Sequence, residues 1–182
     1  PFLSVAKQYD RAVGYFSAHM LTYALQGVVD FANRDGKMRL IIGWPVTDEE
    51  YQAINEDDLS TSETSALKEE INKALHSEST ELAKFRLNLL SWMVRSETLS
   101  IRMVIKRSGM YHEKIGILID EEETTIVFQG SANETENALN PDRNLESISV
   151  YPSWKQEVFS DYGSKYQDRF ERLWSNTAKN SK

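Results

Sequence analysis

His112 and Lys114 stand two residues apart at the start of an apolar run, in YHEKIGILID (111–120). Ser131 and Asn133 stand two apart in GSANET (130–135), just after the next apolar run, TIVF. On a β-strand, residues two apart share a face. Each pair therefore offers its polar groups together at a strand end, an imidazole and an ammonium from one, a hydroxyl and an amide from the other. That combination suits a phosphate. A neutral imidazole can attack phosphorus directly and form a covalent phosphohistidine. The attack places negative charge on the non-bridging oxygens, which cations and hydrogen-bond donors must hold while the geometry inverts. Lys114 supplies a point charge, Asn133 amide donors and Ser131 a hydroxyl. Glu146, on a later strand, can accept a hydrogen bond from the far ring nitrogen and fix the imidazole's tautomer. Lysine and asparagine do the electrostatic work, so this chemistry calls for no metal or other cofactor. Each fragment alone is ordinary, since Gly, Ser and Asn favour turns for local reasons. The weight lies in their order and in their placement at successive strand ends.

The elements that must position these groups follow from the hydrophobic pattern. RAVGYFS (11–17) reads as a buried strand, followed by a helix from about His19 to Asn33 that ends at Asp35-Gly36. KMRLIIGW (37–44) is a second strand, and strand–helix–strand implies a parallel pair with a right-handed crossover. Strands resume with LSIRMVI (99–105), EKIGILI (113–119), TTIVFQ (124–129) and LESISVY (145–151). Asp120 to Glu123 forms an acidic hairpin tip between antiparallel strands. A short helix is expected over Asn133 to Leu139. A closing amphipathic helix runs from Trp154 to about Trp174, packing through Phe159, Tyr162, Tyr166, Phe170 and Leu173. Between the second and third strands lies an acidic, helical insert at about 47–97. Its Leu67, Ile71, Ala74 and Leu75, then Leu82, Phe85, Leu89, Trp92 and Met93, keep helical spacing and read as core contacts, with His76 on the surface. The fold class is α/β, one domain over residues 1–182 with a mixed sheet flanked by helices.

Composition narrows the function. The 182 residues suffice for one full-sized domain. No cysteine is present, which excludes disulfides and thiolate metal sites. The three histidines, His19, His76 and His112, do not make a histidine-rich metal cluster. The apolar runs fall short of a membrane span and no signal-peptide pattern opens the chain, so a soluble, cytoplasmic protein with no membrane partner is expected. The chain opens on Pro1, as expected of a domain cut from a longer protein. The net charge of -7 hides an asymmetry: residues 48–81 hold eleven acidic and two basic residues, leaving 17 acidic and 19 basic elsewhere. Just before the candidate site, Arg102, Lys106 and Arg107 form a basic cluster able to attract a phosphate backbone. Tyr111 is placed to stack on a base or to pack. His19, at an expected strand-to-helix junction, is placed either to border the cleft at the strand ends or to start the helix with local hydrogen bonds.

His112-x-Lys114, then Gly130-Ser131-x-Asn133, then Asn144-x-Glu146 resembles the HKD signature of the phospholipase D superfamily. The strand end Gly14–Ser17, the helix after it and the strand ending Ile41–Gly43 are similar to the first half of HKD nuclease-like domains in bacterial restriction and helicase-linked proteins. The resemblance runs from about Val13 to Tyr151, and the insert at 48–97 matches none of its motifs. It implies a phospholipase D-like α/β/α sandwich with His112 as nucleophile, Lys114 and Asn133 as phosphate ligands, Ser131 as supporting donor and Glu146 as orienting carboxylate. The family's aspartate follows the lysine after four residues, whereas Asp120 follows after five, so Asp120 stays outside the catalytic set. A single motif implies a homodimer with one composite active site, because one histidine must attack while a second protonates the leaving oxygen. The activity expected is a metal-independent phosphodiesterase, a DNA endonuclease module in restriction, defence or repair. A helicase or recognition domain is expected in the parent chain. Two alternatives stand beside it: a non-catalytic nucleic-acid-binding or dimerisation module, and a phospholipid hydrolase or transferase. The last ranks lower because the sequence offers no apolar loop or basic amphipathic helix for a membrane.

Overall fold

The computed structural model describes residues 2–16, 25–44, 81–105, 110–133 and 145–177. Six strands form one mixed sheet: β1 (Ala6–Val13), β2 (Lys37–Trp44), β3 (Leu99–Ile105), β4 (Ile115–Asp120), β5 (Thr125–Gly130) and β6 (Ile148–Pro152). Their spatial order is β3-β2-β1-β4-β5-β6. β1, β2 and β3 run parallel, and β4, β5 and β6 each run antiparallel to the strand before them in the sheet. The C-terminal ends of β1, β2, β3 and β5 therefore meet the starts of β4 and β6 at one end of the sheet.

Alternation along the strands separates two cores. Tyr9, Val13, Met38, Leu40 and Leu99 face one side, where Val28 and Phe31 of helix α1 (Leu25–Ala32) and Leu90 and Met93 of helix α2 (Glu81–Arg95) cover them. Ala12, Ile41, Val104, Ile115, Ile117 and Val127 face the other side, against Phe170 and Leu173. These last two belong to the closing segment, built as α3 (Gln156–Val158), a π-helical turn (Phe159–Gly163) and α4 (Ser164–Trp174). The layering is α/β/α. Among the described residues no helix is long and apolar enough to cross a membrane.

The second strand and the third coincide with the sequence expectation, and the acidic hairpin tip lies where predicted. There the Asp120 carboxylate accepts the backbone N–H of Glu122 (2.9 Å) and of Thr124 (2.8 Å), which closes the turn at the end of the sheet remote from the start of β4. The first strand differs: it spans 6–13 instead of 11–17, pairing with β2 from Gln8↔Lys37 to Val13↔Ile42. Its charged residues masked it, and each of these charges has a partner. Lys7 pairs with Glu123, Asp10 with Arg39, and Arg11 with the Ala132 carbonyl. The sixth strand begins at Ile148 rather than 145, and the closing helix is interrupted by the π-helical turn. Of the insert, only α2 and the two residues after it fall within the described residues. His76, the remainder of the insert up to residue 80 and the short helix expected beyond Asn133 lie outside them.

Asp10 is 1 % exposed in the sheet interior. Arg39 grips it with two bonds, Nε to Oδ1 at 2.7 Å and Nη2 to Oδ2 at 2.6 Å, and reaches Glu171 of α4 through Nη1 at 3.2 Å. The same guanidinium lies 5.1 Å from the Phe170 ring centroid and 5.3 Å from that of Trp174. One cation thus joins two strands to the closing helix. Burial pushes the Asp10 carboxyl above its ordinary 3.8, and the bonds from Arg39 oppose that rise without cancelling it. The stability linked to Asp10 is therefore fully present below the unfolded value and declines as pH rises through the higher folded one. A buried pair of this kind is costly to break singly but not to replace as a pair. Arg39→Met, which strands the Asp10 charge, is expected to cost about 3–5 kcal/mol by urea unfolding. Asp10→Leu combined with Arg39→Met is expected to recover most of that loss.

Candidate active site

Two glycines open the end of the sheet to the segment that carries His112. Gly14 follows β1 and Gly43 lies near the end of β2. A Cβ on Gly43 would stand 2.8 Å from the Tyr111 carbonyl oxygen, and one on Gly14 would stand 3.0 Å from the same atom. Without side chains there, residues 110–114 pass directly over the ends of both strands. The Cβ position of Gly14 would also lie 3.5 Å from Asn133 Oδ1 and 3.6 Å from His112 Cδ2. The imidazole and the amide, 21 residues apart in sequence, thus converge over one bare Cα.

The segment is held from both sides and leaves its imidazole outward. Tyr111 is buried in the core beneath α4, where burial pushes its phenol far above the ordinary range and keeps it neutral. Glu113 takes the Nε–H of Arg169 on α4 at 3.1 Å. Lys114, 4 % exposed, turns inward and donates from Nζ to the His112 carbonyl at 2.7 Å. His112 is exposed next to these anchors, as is Glu113 beside it.

Ser131 and Asn133 leave the end of β5 and are fixed by different neighbours. The Ser131 hydroxyl donates to the Glu146 carboxylate and accepts the Ser147 N–H at 3.0 Å. The Ser131 N–H donates to the Ser147 carbonyl at 3.0 Å. Asn133 Oδ1 accepts the Tyr15 N–H at 3.1 Å, which orients the amide and presents its NH2 donors on the opposite side. Glu146 also acts through space on Lys114, so the serine, the carboxylate and the ammonium form one electrostatic group.

The structure thus gathers His112, Lys114, Ser131, Asn133 and Glu146 at one end of the sheet. Tyr111 adjoins the site but packs inward. Arg102 is engaged elsewhere: its guanidinium lies 4.6 Å from the Trp174 ring centroid and donates to the Trp174 carbonyl. Lys106, Arg107 and His19 lie outside the described residues. Arg11 is not among the residues expected from the sequence: it is a buried cation on β1 whose Nη2 donates to the Ala132 carbonyl at 2.7 Å. β1 reads AKQYDRAV, and charges this frequent in a strand look solvated, so nothing local marks Arg11 as buried and in need of a partner.

The model of the family described as the cardiolipin synthase, phospholipase D-like domain matches residues 3–174, and the chain belongs to that family. No curated protein matches the chain. Membership places its chemistry, at the level of the superfamily, with phosphodiester hydrolysis and transfer, and the six-stranded α/β/α fold agrees with it.

Lys114 is lowered from the ordinary lysine range, first by burial and then by the positive charge of Arg11, against the opposing pull of Glu146. An ammonium so placed loses its proton at lower pH than a surface lysine. Affinity for inorganic phosphate is therefore expected to fall as pH rises through this lowered midpoint. Titration calorimetry across the alkaline range checks this, and a decline beginning only at an unperturbed lysine value would contradict it.

Proposed function

We propose that this phospholipase D-like domain is a metal-independent phosphodiesterase that cleaves DNA in the cytoplasm through a covalent intermediate on His112. The observation that carries this reading is the convergence of the His112 ring and the oriented Asn133 amide over Gly14, with the Lys114 ammonium tied to the His112 carbonyl. In the first step a ring nitrogen of His112 bonds to phosphorus as the P–O bond to the leaving group breaks. The leaving oxygen takes a proton from a second imidazole. Water then attacks phosphorus, gives its proton back to that imidazole, and the P–N bond breaks. Lys114 and Asn133 hold the non-bridging oxygens throughout.

The second imidazole is supplied by His112 of a second copy of this chain, so the working unit is a homodimer. Nucleic acid is favoured by the charge distribution, because the acidic excess is confined to residues 48–81 and the rest of the chain is slightly basic. A recognition or helicase domain in the parent protein would supply specificity. A phospholipid substrate is the second reading, supported by the description of the matching family.

Labelled DNA and phospholipid vesicles, each incubated in excess EDTA with wild-type protein and with His112→Ala, separate these readings. Cleavage of DNA by the wild type alone is expected, with the variant reduced by at least about 10⁴-fold. Turnover of vesicles without DNA cleavage would favour the phospholipid reading. DNA binding with no turnover of DNA, vesicles or bis-nitrophenyl phosphate would point to a binding module. Light scattering is expected to give twice the chain mass, and an active monomer would remove the proposed proton donor.

A further inference from the structure

Arg11 sits toward the C-terminal end of β1 and is 3 % exposed. Directly across the sheet from it is Gly116 of β4. That glycine leaves a slot, and Phe128, its own partner on β5, lies across it. A Cβ on Gly116 would run into the Phe128 ring. The Arg11 guanidinium is laid over this ring, 5.2 Å from its centroid, an arrangement that offsets part of the cost of burying the charge. From there Nη2 reaches the Ala132 carbonyl at 2.7 Å.

Ala132 is the residue between Ser131 and Asn133. Its carbonyl is held by Arg11, and the Asn133 amide on its far side is held by the Tyr15 N–H. Both ties come from the first strand and its exit. The same arginine acts electrostatically on Lys114, where the other charge acting is Glu146, from the approach to β6, and the neighbouring titratable group is His112 of its own segment.

We propose that Arg11 is the positioning residue of the phosphate site: it sets the Ser131–Asn133 loop through the Ala132 carbonyl and contributes a second buried positive charge to that end of the sheet. The catalytic part of this inference rests on the phosphodiesterase reading, while the contact between Arg11 and its neighbours does not. Arg11 touches no substrate in this scheme. It acts through Asn133 and Lys114, which do.

Two variants separate its functions. Arg11→Met keeps a long stem on Phe128 and removes the charge, whereas Arg11→Lys keeps the charge and removes the planar fork that reaches the carbonyl. The readouts are the NMR titration of the Lys114 side chain, and kcat and KM for bis-nitrophenyl phosphate. In Arg11→Met the Lys114 midpoint is expected to move upward, with kcat down about a hundredfold through misplacement of the loop and KM changed much less. In Arg11→Lys the midpoint should stay near wild type while kcat still falls. Folded variants with wild-type midpoint and kcat would overturn the proposal. Should Arg11→Met fail to fold, Arg11→Lys decides alone: lowered kcat at unchanged midpoint supports it, and wild-type kcat overturns it. If the wild type turns nothing over, the phosphodiesterase reading falls, and the titration still decides whether Arg11 governs Lys114.

Discussion

A charge buried in a sheet must be met by a partner, and the first strand carries two such charges side by side. Asp10 and Arg11 are adjacent in an interior strand, so their side chains leave opposite faces of the sheet. Asp10 draws Arg39 across from β2, and Arg39 in turn engages Glu171, Phe170 and Trp174 of the closing helix. Arg11 draws in the Ala132 carbonyl and with it the loop that follows β5. One requirement, satisfying ionised groups out of contact with water, thereby joins the helix on one face to the chemistry at the end of the other.

The site is also an exercise in close approach. Bare backbone at Gly14 and Gly43 lets the segment before β4 settle on the ends of the parallel strands, and that contact brings an imidazole to an amide from the next strand pair. The burial of Tyr111 and Lys114 and the pairing of Glu113 with Arg169 hold this segment down on either side of the exposed histidine. An imidazole displayed on a constrained backbone, with donors fixed beside it, is the preorganised arrangement that the proposed phosphohistidine chemistry requires.

Much of this was legible in the sequence where periodicity and local chemistry coincide. The runs KMRLIIGW and LSIRMVI are strands over their full predicted lengths, and Asp120 closes the hairpin through its own carboxylate, as an aspartate in a tight turn can. His112, Lys114, Ser131 and Asn133 do meet at one end of the sheet, yet all four lie outside the strands, with His112 exposed and Lys114 buried, so strand alternation is not what brings them there. What could not be read depends on contacts distant along the chain. The apolar pattern does not locate β1, because Lys7, Asp10 and Arg11 break it and only the partners Glu123, Arg39 and Ala132 explain them. The bond from Ser131 to Glu146 joins residues on either side of the connection between β5 and β6, and nothing in either residue's neighbours announces it. Arg102 resembled part of a basic path for a phosphate backbone, yet its partner is Trp174, 72 positions away.

The central claim, a phosphoryl group carried by His112, is tested most directly by trapping it. The protein would be mixed with a phosphodiester substrate, quenched in alkali within the first turnover and digested for mass spectrometry, since a phosphoramidate survives base and is lost in acid. The account predicts an acid-labile adduct on the peptide containing His112, absent when the digest is briefly acidified. Turnover with no adduct on that peptide, or an acid-stable phosphate on Ser131, would contradict it.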